Sequence, residues 1–278
     1  MAGARIEVQS LLRQVLNVSR AYLLAYPERC LSTLEQAQYE ALLLRRLHGE
    51  PIAYLLGERE FFGLMFKVTP ATLIPRPETE LLVEQALQRI AERAPSRVEQ
   101  GEKDTFRLLD LGTGSGAIAL AIAHTRPDIE VVAVDASVDA LAVARENAHL
   151  LDLANVTFIQ SDWFAGLPQQ SFDMIVSNPP YVVENDPHLQ QGDLRFEPRS
   201  ALASGYDGLD DIRKIVAGTS CHLRAGGWLL LEHGYDQAEK VCNMMREAGL
   251  FEIYSANDLS GIQRVSAGCA PSGATKSA

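Results

Sequence analysis

Four cysteines are all that the chain has in 278 residues, and Cys30, Cys221, Cys242 and Cys269 stand far apart with no CxxC pair among them. That spacing suggests neither a zinc ribbon nor a disulfide framework, so reduced thiols in a cytosolic protein are expected. No apolar run approaches the roughly 20 residues of a membrane span. The N-terminus lacks the basic-then-apolar profile of a secretory signal. Positive charge is also short: 25 Lys and Arg against 36 Asp and Glu leave a formal charge of −11. Such a balance argues against a protein that holds nucleic acid by bulk electrostatics, while a local basic patch stays compatible with it. His124, His149 and His233 show no nucleophile or metal spacing and read as structural or surface residues.

What is present is ordinary for a soluble globular protein, with 47% hydrophobic and 22% charged residues. The length suffices for a full α/β core and a smaller second domain. From about Arg5 to His48, Val8, Leu11, Leu12, Val15 and Leu16, then Tyr39, Leu42, Leu43 and Leu47, recur at helical spacing. Ser32 and Thr33 ahead of Glu35 and Gln36 read as an N-cap with a capping box, and His48-Gly49 before Pro51 as a helix stop. A small helical bundle with nearly balanced charge is predicted; a structural cap and a partner-binding module are both open readings of it. Apolar residues around Gly63 (Phe61, Phe62, Leu64, Phe66, Val68) predict a β-hairpin linker. Leu73–Glu80 leads into a helix expected to end near Arg93, with Pro77, Glu78 and Glu80 suited to its start. Polar Arg97–Lys103 is expected to be an exposed, mobile loop.

Strand and helix signals then alternate, which predicts a parallel sheet with helices on both faces. Strands are expected at Leu108–Leu111, Val131–Asp135, Val156–Ile159, through Phe172–Val176, at Trp228–Glu232, and near Phe251–Ser255 and Gln263–Ala267. Helices are expected from Gly116 to about Thr125, from Ser137 to about Leu151, after Gly208, and from Asp236 to Ala248. Gly268–Ala278 is small and polar and reads as a frayed tail.

Turns at the ends of the first three strands define one pocket. In Gly112-Thr113-Gly114-Ser115-Gly116 the glycines let the backbone approach a ligand and present amides at a helix N-terminus. Asp135, ending the second strand, is placed to hold ribose hydroxyls. Asp162 and Trp163 after the third strand suit an adenine, the acid at its exocyclic amine and the indole along its ring; a core tryptophan beside a solvent-facing acid is equally open. A dinucleotide site shares the glycines and the acid. Here the third glycine at dinucleotide spacing is missing, and no residue looks like a hydride-transfer partner.

After the fourth strand, Ser177-Asn178-Pro179-Pro180-Tyr181 cannot continue a central strand, and Pro179 keeps Asn178 extended. The Asn178 side-chain carbonyl and the Pro179 carbonyl are two neighbouring acceptors that can take both hydrogens of a planar –NH2, with Tyr181 packed on its flat face. An ordinary Pro-Pro loop is the bland alternative. S-adenosylmethionine accounts for the glycine turn and the amine-binding turn together.

Through Asp110–Gly116, Asp135 and Asn178–Tyr181 the chain resembles class I S-adenosylmethionine-dependent methyltransferases. Within that class it resembles the bacterial enzymes that methylate the side-chain amide nitrogen (N5) of glutamine in peptide chain release factors. The resemblance covers nearly the whole chain, from the first helices to Ala267. Its marks are Leu73–Glu80 (LIPRPETE), Ser177–Tyr181 (SNPPY), and Phe196-Glu197-Pro198 followed by Ala201-Leu202 and Asp207-Gly208-Leu209. Arg59–Gly63 (REFFG) also looks like the family, with Phe62 where a tryptophan is common. The paralogue that methylates a ribosomal protein shares the NPPY turn, but usually lacks the run seen in Pro77–Glu80.

The resemblance implies an α/β fold: a Rossmann-like class I methyltransferase domain with a seven-stranded, mostly parallel sheet, and a small N-terminal helical bundle joined by a β-hairpin. Expected boundaries are 1–58 for a release-factor-docking domain, 59–75 for the hairpin linker and 76–278 for the methyltransferase domain. The implied cofactor is S-adenosyl-L-methionine, leaving as S-adenosyl-L-homocysteine. Gly112, Thr113, Gly114, Ser115, Gly116, Asp135, Trp163 and Asn178 would hold it, with Asp162 from the reading above, and no metal is expected. Asn178, Pro179, Pro180 and Tyr181 would bind the substrate glutamine, with Asn178, Pro179 and Tyr181 carrying the catalysis. Release factors 1 and 2 would be the protein partners of a cytoplasmic monomer that touches neither membrane nor nucleic acid. Arg76 and Glu197 could brace the turn or be surface salt-bridge residues.

Three rivals remain on the sequence. In an N6-adenine methyltransferase the substrate adenine would also present a planar –NH2 to this turn, but such an enzyme needs a basic base-flipping surface. A cofactor-binding scaffold without activity has no need of two acceptors. An NAD-linked oxidoreductase is separated by cofactor binding.

Overall fold

The computed structural model describes residues 2–99, 105–168 and 170–272. Seven strands form one sheet in the order β5-β4-β3-β6-β7-β9-β8. They are β3 (Arg107–Leu111), β4 (Glu130–Asp135), β5 (Val156–Gln160), β6 (Phe172–Ser177), β7 (Leu223–Glu232), β8 (Phe251–Asn257) and β9 (Gln263–Cys269). β3 to β7 run parallel, and β9 is antiparallel to both of its neighbours. The chain winds outward from β3 through β4 to β5, then returns to lay β6 on the other side of β3. The junction of β3 and β6 is therefore the switch point at which open α/β sheets bind ligands.

Successive strand residues face opposite sides of the sheet, and here both sides are covered. Leu108, Val131, Ala133, Met174, Val176 and Leu230 pack on one side with α5 (Glu80–Glu99) and α6 (Ala117–Thr125). Leu109, Leu111, Val132, Val134, Ile175 and Leu229 pack on the other with α8 (Asp210–His222) and α9 (Ala238–Glu247). That two-sided burial is why these strands read as continuous apolar runs. Between β4 and β5 runs α7 (Val138–Leu150), whose N-cap is Ser137, accepting from the Ala140 amide at 3.2 Å.

The N-terminal part holds α1 (Ala2–Leu16), α2 (Arg20–Ala25), α3 (Thr33–Leu47) and α4 (Ile52–Leu56). The expected capping box closes α3: Ser32 Oγ accepts from the Glu35 amide at 3.3 Å and Glu35 reaches back to the Ser32 amide at 2.8 Å. The short α4 was not anticipated. Pro51, read as a stop for α3, also starts α4, which buries Ala53, Tyr54 and Leu55. Tyr54 donates to the Thr72 carbonyl at 2.6 Å. Arg46 in α3 holds Glu7 at 2.8 Å and reaches Asp193 at 3.4 Å, tying the helices to a loop near the sheet's carboxyl end.

The hairpin pairs β1 (Glu58–Phe61) with β2 (Leu64–Lys67) through a two-residue turn, Phe62 and Gly63, both at positive φ. Such a turn matches the twist of the strands, and its second position suits glycine. Phe61 and Phe66 are buried in the α5–α6 side of the core, so the hairpin packs as part of the sheet domain. Asn147 of α7 completes the attachment. Its Oδ1 accepts from Lys67 N at 2.7 Å, and its Nδ2 donates to Lys67 O at 3.0 Å and Ser115 O at 2.8 Å.

Several boundaries differ from expectation. A 3-10 turn over Pro77–Thr79 precedes α5, which continues past Arg93 to Glu99, so Pro95 removes one donor without ending the helix. The loop expected at Arg97–Lys103 thus begins inside α5, and its remainder falls outside the described residues. β7 starts at Leu223 rather than Trp228. The expected tail is strand as far as Cys269, with Gly268 and Cys269 opposite Leu229 and Trp228; residues 273–278 lie outside the described residues.

Candidate active site

A cleft of about 560 Å³ opens at the carboxyl ends of β3 to β6. Gly112, Thr113, Gly114, Ser115, Asp135, Asp162, Trp163, Asn178 and Pro180 all line it. Gly116, Pro179 and Tyr181 are not among the lining residues. Gly116 is the N-cap of α6, where a Cβ would press on Leu120 and Ala144, so its role is close packing of that helix. Gly114 is different. At φ +56° it turns its backbone to the cleft, and among the described residues no atom would lie within 4 Å of a Cβ there, which leaves a ligand room to approach.

Acid groups underlie this loop. Asp110, fully buried at the end of β3, accepts from Thr113 Oγ1 at 2.6 Å; its Oδ1 has no hydrogen-bond partner among the described residues. Burial pushes its pKa up to about 7, against the lowering effect of Thr113 and the Ala119 amide. Asp135 accepts from Gly114 N and Ser137 N, both at 2.9 Å. Two backbone amides fix its carboxylate, which still has lone pairs for ligand hydroxyls. Asp162 is exposed at the cleft edge. Trp163, at φ +50°, lies over Gly112 and donates Nε1 to Asp211 Oδ1 at 3.3 Å. Asp211 in turn is held by Ser204 Oγ at 2.8 Å and Lys214 Nζ at 2.9 Å. The indole is thus pinned as one wall.

On the other side of the switch point, Ser177 Oγ donates to Leu111 O at 2.6 Å, which locks the end of β6 to the end of β3 just before both functional turns. Asn178 donates Nδ2 to Thr79 Oγ1 at 3.1 Å, which leaves Oδ1 as its acceptor. Pro179 and Pro180 are buried. Tyr181 packs in the α8–α9 side of the core, its carbonyl accepts from Gln237 Nε2 at 3.0 Å, and its hydroxyl donates to Glu232 Oε1 at 3.4 Å. Glu232, ending β7, is 1% exposed, and burial pushes its pKa up to about 7.

The segment Pro70–Arg76 and residues Pro198, Ser200 and Ala201 form the cleft's remaining walls. Arg76 and Glu197 join these two segments at 2.6 Å, with the Glu197 side chain wholly buried and its second oxygen accepting from Ile74 N at 3.4 Å. The pair is thus a buried link between the two wall segments rather than an exposed surface salt bridge. Thr79, Asn147, Asp211 and Glu232 were not singled out as site residues. Thr79 lay inside the LIPRPETE run and Glu232 at a strand end, but their partners are far away in sequence and no local pattern pairs them.

The family models place a methyltransferase domain over residues 102–264 and the PrmC N-terminal domain over residues 1–57. The curated release factor glutamine methyltransferase of Salmonella typhimurium is 49% identical over 264 residues, spanning 95% of this chain and 91% of its own length. The protein of that name from Burkholderia pseudomallei is 50% identical over 272 residues, 96% and 92% of the two chains. Among solved structures, a methyltransferase from Pyrococcus furiosus matches with a TM-score of 0.54 at 18% identity, covering 84% of this chain and 99% of that one, a likeness of fold. With identity of this size along almost its entire length, the chain belongs to the release factor glutamine methyltransferases.

Proposed function

We propose that this chain transfers a methyl group from S-adenosylmethionine to the side-chain amide nitrogen of the glutamine in the Gly-Gly-Gln motif of release factors 1 and 2. The observation that carries the reading is Asn178, whose NH2 is taken up by Thr79, leaving its carbonyl oxygen as an acceptor at the edge of the glycine-loop cleft. The cleft fits the methyl donor: open space above Gly114, an oriented Asp135 carboxylate for ribose hydroxyls, and Trp163 and Asp162 beside each other for the adenine. Its volume lies in the usual range for small-molecule sites. Bound there, S-adenosylmethionine supplies an electrophilic methyl on a sulfonium.

An amide nitrogen is a weak nucleophile because its lone pair is delocalised into the carbonyl. It needs alignment and stabilisation of the positive charge that grows as the new bond forms. Asn178 Oδ1 and the Pro179 carbonyl each accept one N–H of the glutamine amide and supply both effects. Tyr181 does not pack on the amide as expected from the sequence: it lies in the core behind the turn, where its contacts with Glu232 and Gln237 hold the turn in place. Alignment of this kind is worth on the order of 7–11 kcal/mol.

Residues 1–58 act as the docking domain, 59–75 as its linker and 76–278 as the catalytic domain. Exposed Ile6, Leu24, Leu34, Leu44 and Leu47 on the N-terminal helices support a protein-binding role. The chain works as a cytoplasmic monomer; among the described residues no helix is long and apolar enough to cross a membrane. Incubation with methyl-labelled S-adenosylmethionine and, separately, release factor 1, release factor 2, ribosomal protein or an adenine-containing oligonucleotide tests the reading. Label is expected on the release factors. Label on ribosomal protein or oligonucleotide instead would keep the fold and overturn the substrate.

A further inference from the structure

Asp211 stands in the first turn of α8, where a carboxylate ordinarily serves its own helix. Here it also binds two side chains from other parts of the chain. Oδ1 accepts from Trp163 Nε1 at 3.3 Å, and Oδ2 accepts from Ser204 Oγ at 2.8 Å. The Asp211 amide donates back to Ser204 Oγ, also at 2.8 Å, so these two residues are joined twice. Lys214 Nζ, one turn along α8, holds Oδ1 at 2.9 Å. Ser204 is only 2% exposed, which shields that side of the cluster from solvent.

The two partners belong to opposite sides of the switch point. Trp163 follows β5 and stands at φ +50°, a left-handed backbone that a bulky side chain rarely adopts. Such a conformation persists only where the surroundings hold it. Ser161 Oγ holds the Trp163 carbonyl at 2.6 Å, and Asp211 holds the indole. Ser204 reaches the other way. Its N–H donates to Val182 O, Val182 N donates to Leu202 O and Glu184 N donates to Gly205 O, each at 2.9 Å. Three backbone bonds thus pair residues 202–205 with the chain that leaves the Asn178–Tyr181 turn. One carboxylate joins the indole wall over Gly112 to that chain.

We propose that Asp211 is a positioning residue for the methyl transfer: it ties the Trp163 wall to Ser204 and so to the Asn178–Tyr181 turn, which keeps the methyl-donor side and the amide side of the cleft at one fixed separation. In-line transfer depends on that separation, and a small change in it is costly. The role is geometric, carried by hydrogen bonds rather than by the charge. The inference rests on the glutamine-amide reading above.

The test uses Asp211→Ala and Asp211→Asn in the full chain, with thermal denaturation to confirm folding. Asparagine keeps the size and both links, since its Oδ1 can accept from Trp163 and its NH2 can donate to Ser204 Oγ. In the first arm, hydrogen exchange is followed by NMR in the free protein. The chain has two tryptophans, so the Trp163 indole N–H is assigned by its loss in Trp163→Phe, and Trp228 serves as the control. In Asp211→Ala, the Trp163 indole and the Val182 and Ser204 amides should all exchange at least about fivefold faster, with Trp228 unchanged. Faster exchange on one side alone, or on neither, overturns the link.

In the second arm, kcat on release factor is expected to fall at least about tenfold in Asp211→Ala, with S-adenosylhomocysteine affinity falling less than about threefold. Asp211→Asn should recover most of the rate. A kcat loss as large in Asp211→Asn as in Asp211→Ala would assign the effect to the charge and contradict the proposal. Losses that track cofactor affinity or melting temperature would contradict it as well. A wild-type protein that methylates no release factor would sink the functional reading, and the exchange arm would still decide the link.

Discussion

Asn147→Leu tests how the hairpin is held to the methyltransferase domain. Asn147 is 0% exposed and makes three hydrogen bonds, two to the Lys67 backbone and one to Ser115 O. Leucine fills a similar volume with no polar atom, so water cannot take the amide's place. The substitution leaves one backbone N–H and two carbonyls without their partner. Each orphaned buried group costs about 1–3 kcal/mol. Lys67 is only half-buried, which puts its two groups at the low end, so the sum is about 3 kcal/mol. For a chain of this size that is a melting temperature lower by about 6–12 °C. Urea unfolding and scanning calorimetry read both values. A loss below about 1 kcal/mol would refute the argument that Asn147 replaces a missing strand partner for Lys67.

Asn178→Ala should lower kcat by at least about 100-fold with S-adenosylhomocysteine affinity little changed, measured by initial rates and calorimetry; equal losses in both would count against the acceptor role. Arg76→Ala strips the cation from buried Glu197, whose pKa burial already raises. Loss of one partner of a buried pair should cost about 3 kcal/mol at pH 8, where the stranded carboxylate is charged, and less at lower pH, since burial without Arg76 favours the neutral form; identical urea midpoint shifts at pH 8 and pH 5 would contradict this. Asp110 has its pKa raised from 3.8 to about 7, so the folded state holds a proton that the unfolded state releases. Its contribution is full below about pH 4 and is lost as pH rises toward 7. Asp110→Asn should therefore flatten the fall in melting temperature between pH 5 and pH 8 relative to wild type, and an unchanged slope would show that Asp110 is ionised throughout.

Local signals were legible wherever one stretch carried the whole device. Ser32 and Glu35 lie three residues apart and cap α3 as read, and the Phe62-Gly63 turn adopts the positive φ that a two-residue hairpin requires. The glycine loop, Asp135, Asp162, Trp163 and Asn178 come together because each lies at or just after the carboxyl end of a strand in the parallel sheet that alternating strand and helix signals predict. What stayed hidden are buried polar pairs closed by tertiary packing: Asn147 with Lys67, Arg76 with Glu197, Asn178 with Thr79, and Tyr181 with Glu232. Partners in these pairs stand 51 to 121 residues apart, beyond any capping or periodicity rule. Arg76–Glu197 was left undecided for that reason. The short α4 was hidden differently, since Pro51 both ends α3's connection and begins the next helix.

The most direct test of the account is mass spectrometry of a purified bacterial release factor after incubation with this protein and S-adenosylmethionine. The account predicts a gain of one methyl, mapped to the side-chain nitrogen of the Gly-Gly-Gln glutamine and absent with Asn178→Ala. An unmodified glutamine in the presence of the wild-type protein and bound cofactor would contradict it.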